Sequence, residues 1–158
     1  MVTIKSFLKV GNNLVPVEEF AGPILDEDYI EGAIELSVDH RPILTREMVD
    51  YVDQLWAYFA RGLREVAAGR EFSTNYPDMP LKIVLQPQGD RVKLMIRSRS
   101  GKRDADVSVS LYDLLQAMIS EGKVFFEKLR PLAPGNQASY DLSVADLMAL
   151  TGYRRENA

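Results

Sequence analysis

There is no cysteine among the 158 residues. Disulfides, thiol nucleophiles and thiolate metal sites are therefore excluded, and the usage fits a reducing compartment. Histidine occurs once, as His40. A Ser-His-Asp triad or a histidine-rich metal site would have to use that residue. Its neighbour Asp39 would point to the opposite face of a strand, so we read His40 as a turn residue in solvent. GxSxG, HExxH, Walker A and GxGxxG patterns are all missing, which leaves no recognisable catalytic, cofactor or metal motif. No run approaches the roughly 18 apolar residues of a membrane span. The opening MVTIKSFLKVGNN has no apolar stretch of signal-peptide length. The expectation is one cytoplasmic domain over residues 1–158, not an enzyme, with no cofactor and no membrane association.

What is present points to a packed core. Hydrophobic residues make up 46% and charged residues 27%, which argues for a globular chain rather than a disordered one. The net charge of −4 is unevenly spread. Residues 1–50 hold ten acidic and four basic side chains, and the remainder carries a net +2. Either the two halves neutralise each other across a sheet, or the first presents an acidic face to a basic partner.

Residues 4–10 alternate into Gly11-Asn12-Asn13 and on to Val17, which reads as a hairpin. Pro16 favours its edge. Residues 19–28 read as a loop. Over residues 29–39, Ile30, Ile34, Leu36 and Val38 share one face and Glu31, Glu35, Ser37 and Asp39 the other, as in a half-buried strand. A long amphipathic helix is then predicted over residues 45–68, with Thr45 as N-cap and Gly69 just past the end. Met48, Val52, Leu55, Trp56, Phe59, Leu63 and Val66 form its apolar stripe, with Arg46, Asp50, Asp53, Arg61 and Arg64 opposite. About 24 residues would span roughly 36 Å.

A long connection, GREFSTNYPDMP, leads to a three-strand meander over residues 81–109, turning at Pro87–Asp90 and Ser100–Lys102. Ser110 with Asp113 suggests a capping box opening a second helix over residues 111–129, stopped by Pro131. Gly122 lies within that helix's apolar stripe, and a close crossing would explain it. A short helix, N-capped by Ser143, is predicted to Leu150. The fold class is α+β: an antiparallel sheet packed by two long helices and a short one.

Asp26, Glu27 and Asp28 are clustered, but their spacing is not that of a calcium loop. Arg91, Lys93, Arg97 and Arg99 share a parity on the meander, extended by Lys102 and Arg103. That face either pairs with Glu31, Glu35 and Asp39 on a neighbouring strand or meets phosphates. Nucleic-acid sheets interleave aromatics, and here the interleaved residue is Met95. Tyr51 and Tyr58 flank the stripe of the long helix beside Gly62, and suit either a core margin or an interface. Phe72, Asn75, Tyr76 and Met79 lie on the long connection, where loops are often functional.

Two resemblances bear on function. The order of hairpin, strand, long helix with YVDQLWAYFARGL, meander and VSLYDLLQAMISEGKVFFEKL resembles small bacterial α+β proteins, some of them immunity or antitoxin-like partners of polymorphic toxins. It covers residues 29–130. The resemblance implies a non-enzymatic protein that blocks one partner by surface complementarity. On that reading the partner-binding candidates are Asp26, Glu27, Asp28, Glu31, Glu35, Tyr51, Tyr58, Phe72, Asn75 and Tyr76, and the partner is a protein such as a toxin domain. The same surfaces are compatible with a homodimer. Separately, SVADLMALTGYRREN resembles the first helix and turn of a bacterial helix-turn-helix. A recognition helix would have to follow Ala158, so a capped helix on the domain edge is the simpler expectation. The alternative function is nucleic-acid association through the basic 91–103 face or this C-terminal helix.

Overall fold

The computed structural model describes residues 1–154 and has the expected α+β architecture. Its strands form two antiparallel sheets rather than one. In the first sheet, β1 (Val2–Val10) lies between β2 (Asn13–Pro16) and β3 (Glu31–Val38). The far edge of β3 pairs with β4 (Arg41–Leu44) and β5 (Asp50–Tyr51). Pro16 ends the edge strand β2, where its missing N–H costs no ladder bond. The second sheet runs β6 (Phe72–Asn75), β7 (Leu81–Gln88), β8 (Arg91–Ser98) and β9 (Ala105–Ser110) in that order.

The long helix, α1, spans Val52–Ala67 and is shorter than the sequence suggests. Residues 41–44 and 50–51 are taken by β4 and β5, so Thr45 caps nothing. Asp50 holds the chain out of a helix there. Its buried carboxylate accepts the N–H groups of Tyr51, Asp78 and Met79, while the Val52 N–H reaches the Ile30 carbonyl at 3.0 Å. Met48 is buried as predicted, but from the loop before the helix.

The connection at residues 69–80 is not a free loop. Phe72–Asn75 is an edge strand on β7. The second helix, α2, spans Leu111–Leu129, and the Ser110 hydroxyl accepts the Asp113 N–H at 3.2 Å as its cap. The third, α3, spans Gln137–Met148 and starts six residues before Ser143, which is a buried interior residue and not a cap. Pro134–Asn136 forms a 3-10 turn that launches it.

The early acidic strand does not neighbour the meander, because β1, β4 and β5 occupy both its edges. Its charges are matched locally instead. Glu31 pairs with Lys9 at 3.5 Å, Glu35 with Arg46 at 2.9 Å, and Asp39 with the N-terminal amine. On the second sheet Arg97 pairs with Asp106. These pairs are exposed or half-exposed, where solvent and salt screen them, so each adds little to stability.

One apolar cluster runs through the inner faces of both sheets and through α1, α2 and α3. Trp56 is fully buried within it. Its indole N–H donates to the Ser6 hydroxyl of β1 at 3.0 Å, and its ring meets Phe125 of α2 at 6.0 Å. The pairing of β1 with β2 stops at Phe7, and the N–H of Ser6 goes to Glu121 of α2 at 2.9 Å. This satisfies a backbone donor that the sheet leaves over.

Gly122 is the close crossing expected from the sequence. A Cβ there would lie 2.6 Å from Leu147 of α3 and 3.1 Å from the Trp56 ring. Gly122→Ala should gain about 1 kcal/mol of helix propensity and lose about 1–3 kcal/mol to overpacking. We expect a lower urea midpoint for the variant, with Leu147→Ala costing less in that background than in the wild type. A raised midpoint would show that the crossing tolerates a methyl group.

Candidate functional site

The segment between β2 and β3 carries the acidic cluster and separates two concavities. It is anchored from several sides. The Asp26 carboxylate accepts the Asp28 N–H at 3.0 Å, an Asx turn. The Glu27 carbonyl accepts from the Asn136 side chain at 2.7 Å, and the Glu27 carboxylate from the Gly135 N–H at 3.2 Å. Leu25 projects from it at 93% exposure and Tyr29 at 59%. The Tyr29 ring rests against Tyr51 with centroids 5.4 Å apart.

On one side lies a groove of about 430 Å³ between this segment and the end of β1, walled by Leu8, Val10, Phe20, Ile24, Leu25 and Tyr29. Asp26 and Glu31 stand on its rim, Glu31 paired with Lys9, which lines the groove as well. The Tyr51 phenol is held above its ordinary pKa, first by desolvation and then by the negative charges of Asp78 and Glu31. The field at Tyr51 is therefore negative.

On the other side lies a cleft of about 320 Å³ between the first turn of α1, α3 and Glu27-Asp28. Asp53 lies at its base and is only 9% exposed. It accepts the Gln54 N–H at 2.9 Å through one oxygen and the Tyr140 O–H at 2.8 Å through the other. The Asn136 side chain donates to the same Tyr140 hydroxyl at 3.3 Å. Burial raises the Asp53 pKa, and the bonds from Tyr140 and Gln54 pull it back down. The Tyr140 phenol is raised too, by burial first and then by the charge of Asp53.

The predicted residues divide into two groups. Asp26, Glu27, Asp28, Glu31 and Tyr51 are brought together on the ledge, and Tyr58 reaches the margin of the cleft. Glu35 lies away from them on the outer face of the first sheet, paired with Arg46. Phe72 packs its ring over Gly62, where a Cβ would come within 2.2 Å of it, and it serves the helix–sheet contact. Asn75 is exposed on the edge strand β6. Tyr76 is buried at 3% exposure, its hydroxyl 4.0 Å from the Met48 sulfur, so it has no surface to offer a partner.

Sequence reasoning missed Leu25, Tyr29, Asp53, Tyr140 and Ser143. It assigned Asp53 to the polar face of α1, where α3 in fact covers it. Tyr140, Ser143 and Leu147 recur at helical spacing, a signal that a capping role for Ser143 masks. His40 is exposed on the β3–β4 turn and lines neither concavity. Among the described residues no group of His, Asp and Glu is arranged to hold a metal, and no helix is long and apolar enough to cross a membrane. The helix-turn-helix-like segment is α3 and its following turn, buried at Leu147 and Leu150, while its residues 155–157 lie outside the described residues.

Tyr140→Phe removes a donor from a buried carboxylate, which costs about 1.5–3 kcal/mol when that carboxylate is ionised. Because the folded-state pKa of Asp53 is raised, its protonated form is favoured by folding. Stability is lost as pH rises from the unfolded carboxylate value through the folded one. Removing the Tyr140 bond raises that pKa further. The wild-type-to-variant gap in urea stability should therefore be larger at pH 7 than at pH 4. An equal gap at both pH values would show that the bond does not depend on the Asp53 charge. No family model matches the chain, and no curated protein or solved structure matches it either.

Proposed function

We propose that this chain is a protein-binding domain that presents the residue 25–31 ledge to a basic partner. The observation that carries the reading is Leu25 at 93% exposure and Tyr29 at 59%, set beside Asp26 and Glu31 at the mouth of a concave groove, with Asp28 facing the cleft on the other side of the segment. A large apolar side chain held almost wholly in water costs hydration free energy that a partner would recover. Tyrosine supplies contact area with few rotors to freeze. The surrounding carboxylates favour a basic partner and speed its approach. An immunity or antitoxin-like role, blocking one partner by complementarity, fits such a ledge. It needs no chemistry from the chain, and the single histidine lines neither concavity.

A second reading uses the outer face of the second sheet. The strand register puts Lys82, Arg91, Lys93 and Arg97 on that face, with Asp106 among them. No aromatic accompanies them on the described strands; Val84 and Met95 occupy the middle. Electrostatic attraction to phosphate is available there, but base stacking is not.

The test is capture from a lysate of the native host with immobilised wild type, Leu25→Ala, Tyr29→Ala and Asp26→Lys/Asp28→Lys. Leu25→Ala should leave folding stability within about 0.5 kcal/mol, since the side chain is in solvent. We expect a basic protein whose dissociation is at least about tenfold faster from Leu25→Ala or Tyr29→Ala. Its association should slow with added salt and with charge reversal. Retention indifferent to all three variants would refute the ledge. Nucleic acid retained at low salt and released steeply by salt would favour the second reading.

A further inference from the structure

The cleft between α1 and α3 holds more polar capacity than the fold uses. Asp53 carries two oxygens with about four acceptor sites; the Gln54 N–H and the Tyr140 O–H take one on each oxygen, and its own N–H also contributes. Asp28 stands exposed at the rim, and Glu27 lines the wall beside it. No lysine or arginine lines the cleft. Ser143 is the second, independent observation. It is only 5% exposed and lines the cleft, and its hydroxyl has no hydrogen-bond partner among the described residues. A serine inside a helix commonly satisfies itself on the preceding turn; Ser143 does not, and since no buried side-chain oxygen among the described residues lacks a partner, its hydroxyl must open to the cleft. The hydroxyl is thus aimed into a space from which a ligand can satisfy it.

Charge and shape define that ligand. Three carboxylates without a counter-ion select a cation. The Ser143 hydroxyl and the Tyr140 oxygen add acceptors, and the Tyr58 ring, already approached by the Arg61 guanidinium at 6.0 Å, offers an apolar wall at the margin. The volume, about 320 Å³, is at the low end of small-molecule pockets, which run from about 300 to 1,000 Å³. It suits one extended chain rather than a fused-ring ligand.

We propose that this cleft is a socket for a guanidinium or primary ammonium group on an extended chain, delivered as an arginine or lysine side chain of the partner protein. The source of the cation rests on the protein-binding reading above; the chemistry of the socket does not. The cleft and the Leu25–Tyr29 ledge are the two sides of one segment. A partner seated on the ledge can therefore reach over Glu27-Asp28 and place a basic side chain against Asp53.

The experiment is a ¹⁵N NMR titration of the full chain at low salt. The probes are Nα-acetyl-arginine methylamide, Nα-acetyl-lysine methylamide, the neutral citrulline analogue and spermidine. The expected result is saturable shifts of the Asp53, Gln54 and Ser143 amides with the arginine or lysine probe and none with citrulline. Binding should weaken at least tenfold in Asp53→Asn. Asp28→Asn, an exposed rim change that leaves the buried bonds intact, should weaken it several-fold even if Asp53→Asn disturbs the fold. Equal shifts with citrulline, or no shifts with any cation, would overturn the socket. Spermidine binding more tightly than both amino-acid probes would overturn the assignment to a partner's side chain and indicate a free polyamine. Partner capture that depends on Leu25 and Tyr29 but is unchanged in Asp53→Asn and Asp28→Asn would overturn the socket while leaving the protein-binding reading in place.

Discussion

The indole of Trp56 ties the helices to the first sheet. It donates to Ser6 of β1, packs on Phe125, and sits over the one helical position in α2 that has no side chain. Leu147 of α3 enters the same gap at Gly122. Four elements are thus registered on one side chain. The cleft inherits that registration. Asp53 lies three residues before Trp56 on α1, about one turn, and Tyr140 seven residues before Leu147 on α3, about two turns. The 2.8 Å bond between Asp53 and Tyr140 therefore follows from a packing contact deeper in the core. A fault at Gly122 should reach the cleft as a change in its width.

Electrostatics is organised by locality and not by a grand pairing of an acidic half with a basic one. Most acids of the first sheet find their cations on the adjacent strand, the loop after β4 or the chain terminus, and Asp106 of the second sheet finds Arg97. The segment before β3 carries three consecutive acids, Asp26, Glu27 and Asp28, with no ion pair among the described residues. Asp26 and Asp28 there meet only backbone of their own turn. Buried Asp50 and Asp53 spend their oxygens on N–H and O–H donors, not on cations. The negative field is therefore left for whatever binds outside.

Much of the fold was legible. The hairpin, the central strand, the meander and α2 follow from alternation, turn residues and one serine cap, all of them local signals. The start of α1 was not legible, because residues 45–51 continue its apolar periodicity. Long-range bonds from Asp50 to residues 78–79 and from Val52 to Ile30 decide the boundary instead. The split into two sheets depends on which edge β1 takes, and no local pattern encodes that. Of the site, the acidic cluster and Tyr51 could be picked out as polar and aromatic residues near a core margin. Asp53 could not, since its burial is created by α3, some ninety residues later. Tyr76 misled for the opposite reason: in a segment read as a loop it looked available, but the β6–β7 turn folds it inward.

The central claim is that the 25–31 segment, with the cleft behind it, is where a partner binds. Amide hydrogen exchange of the protein alone and with its captured partner measures this across the whole chain. The account predicts added protection over residues 22–31 and in the first turns of α1 and α3, with the second sheet unchanged. Protection centred on β7, β8 and β9, with the 22–31 segment exchanging as in the free protein, would contradict it.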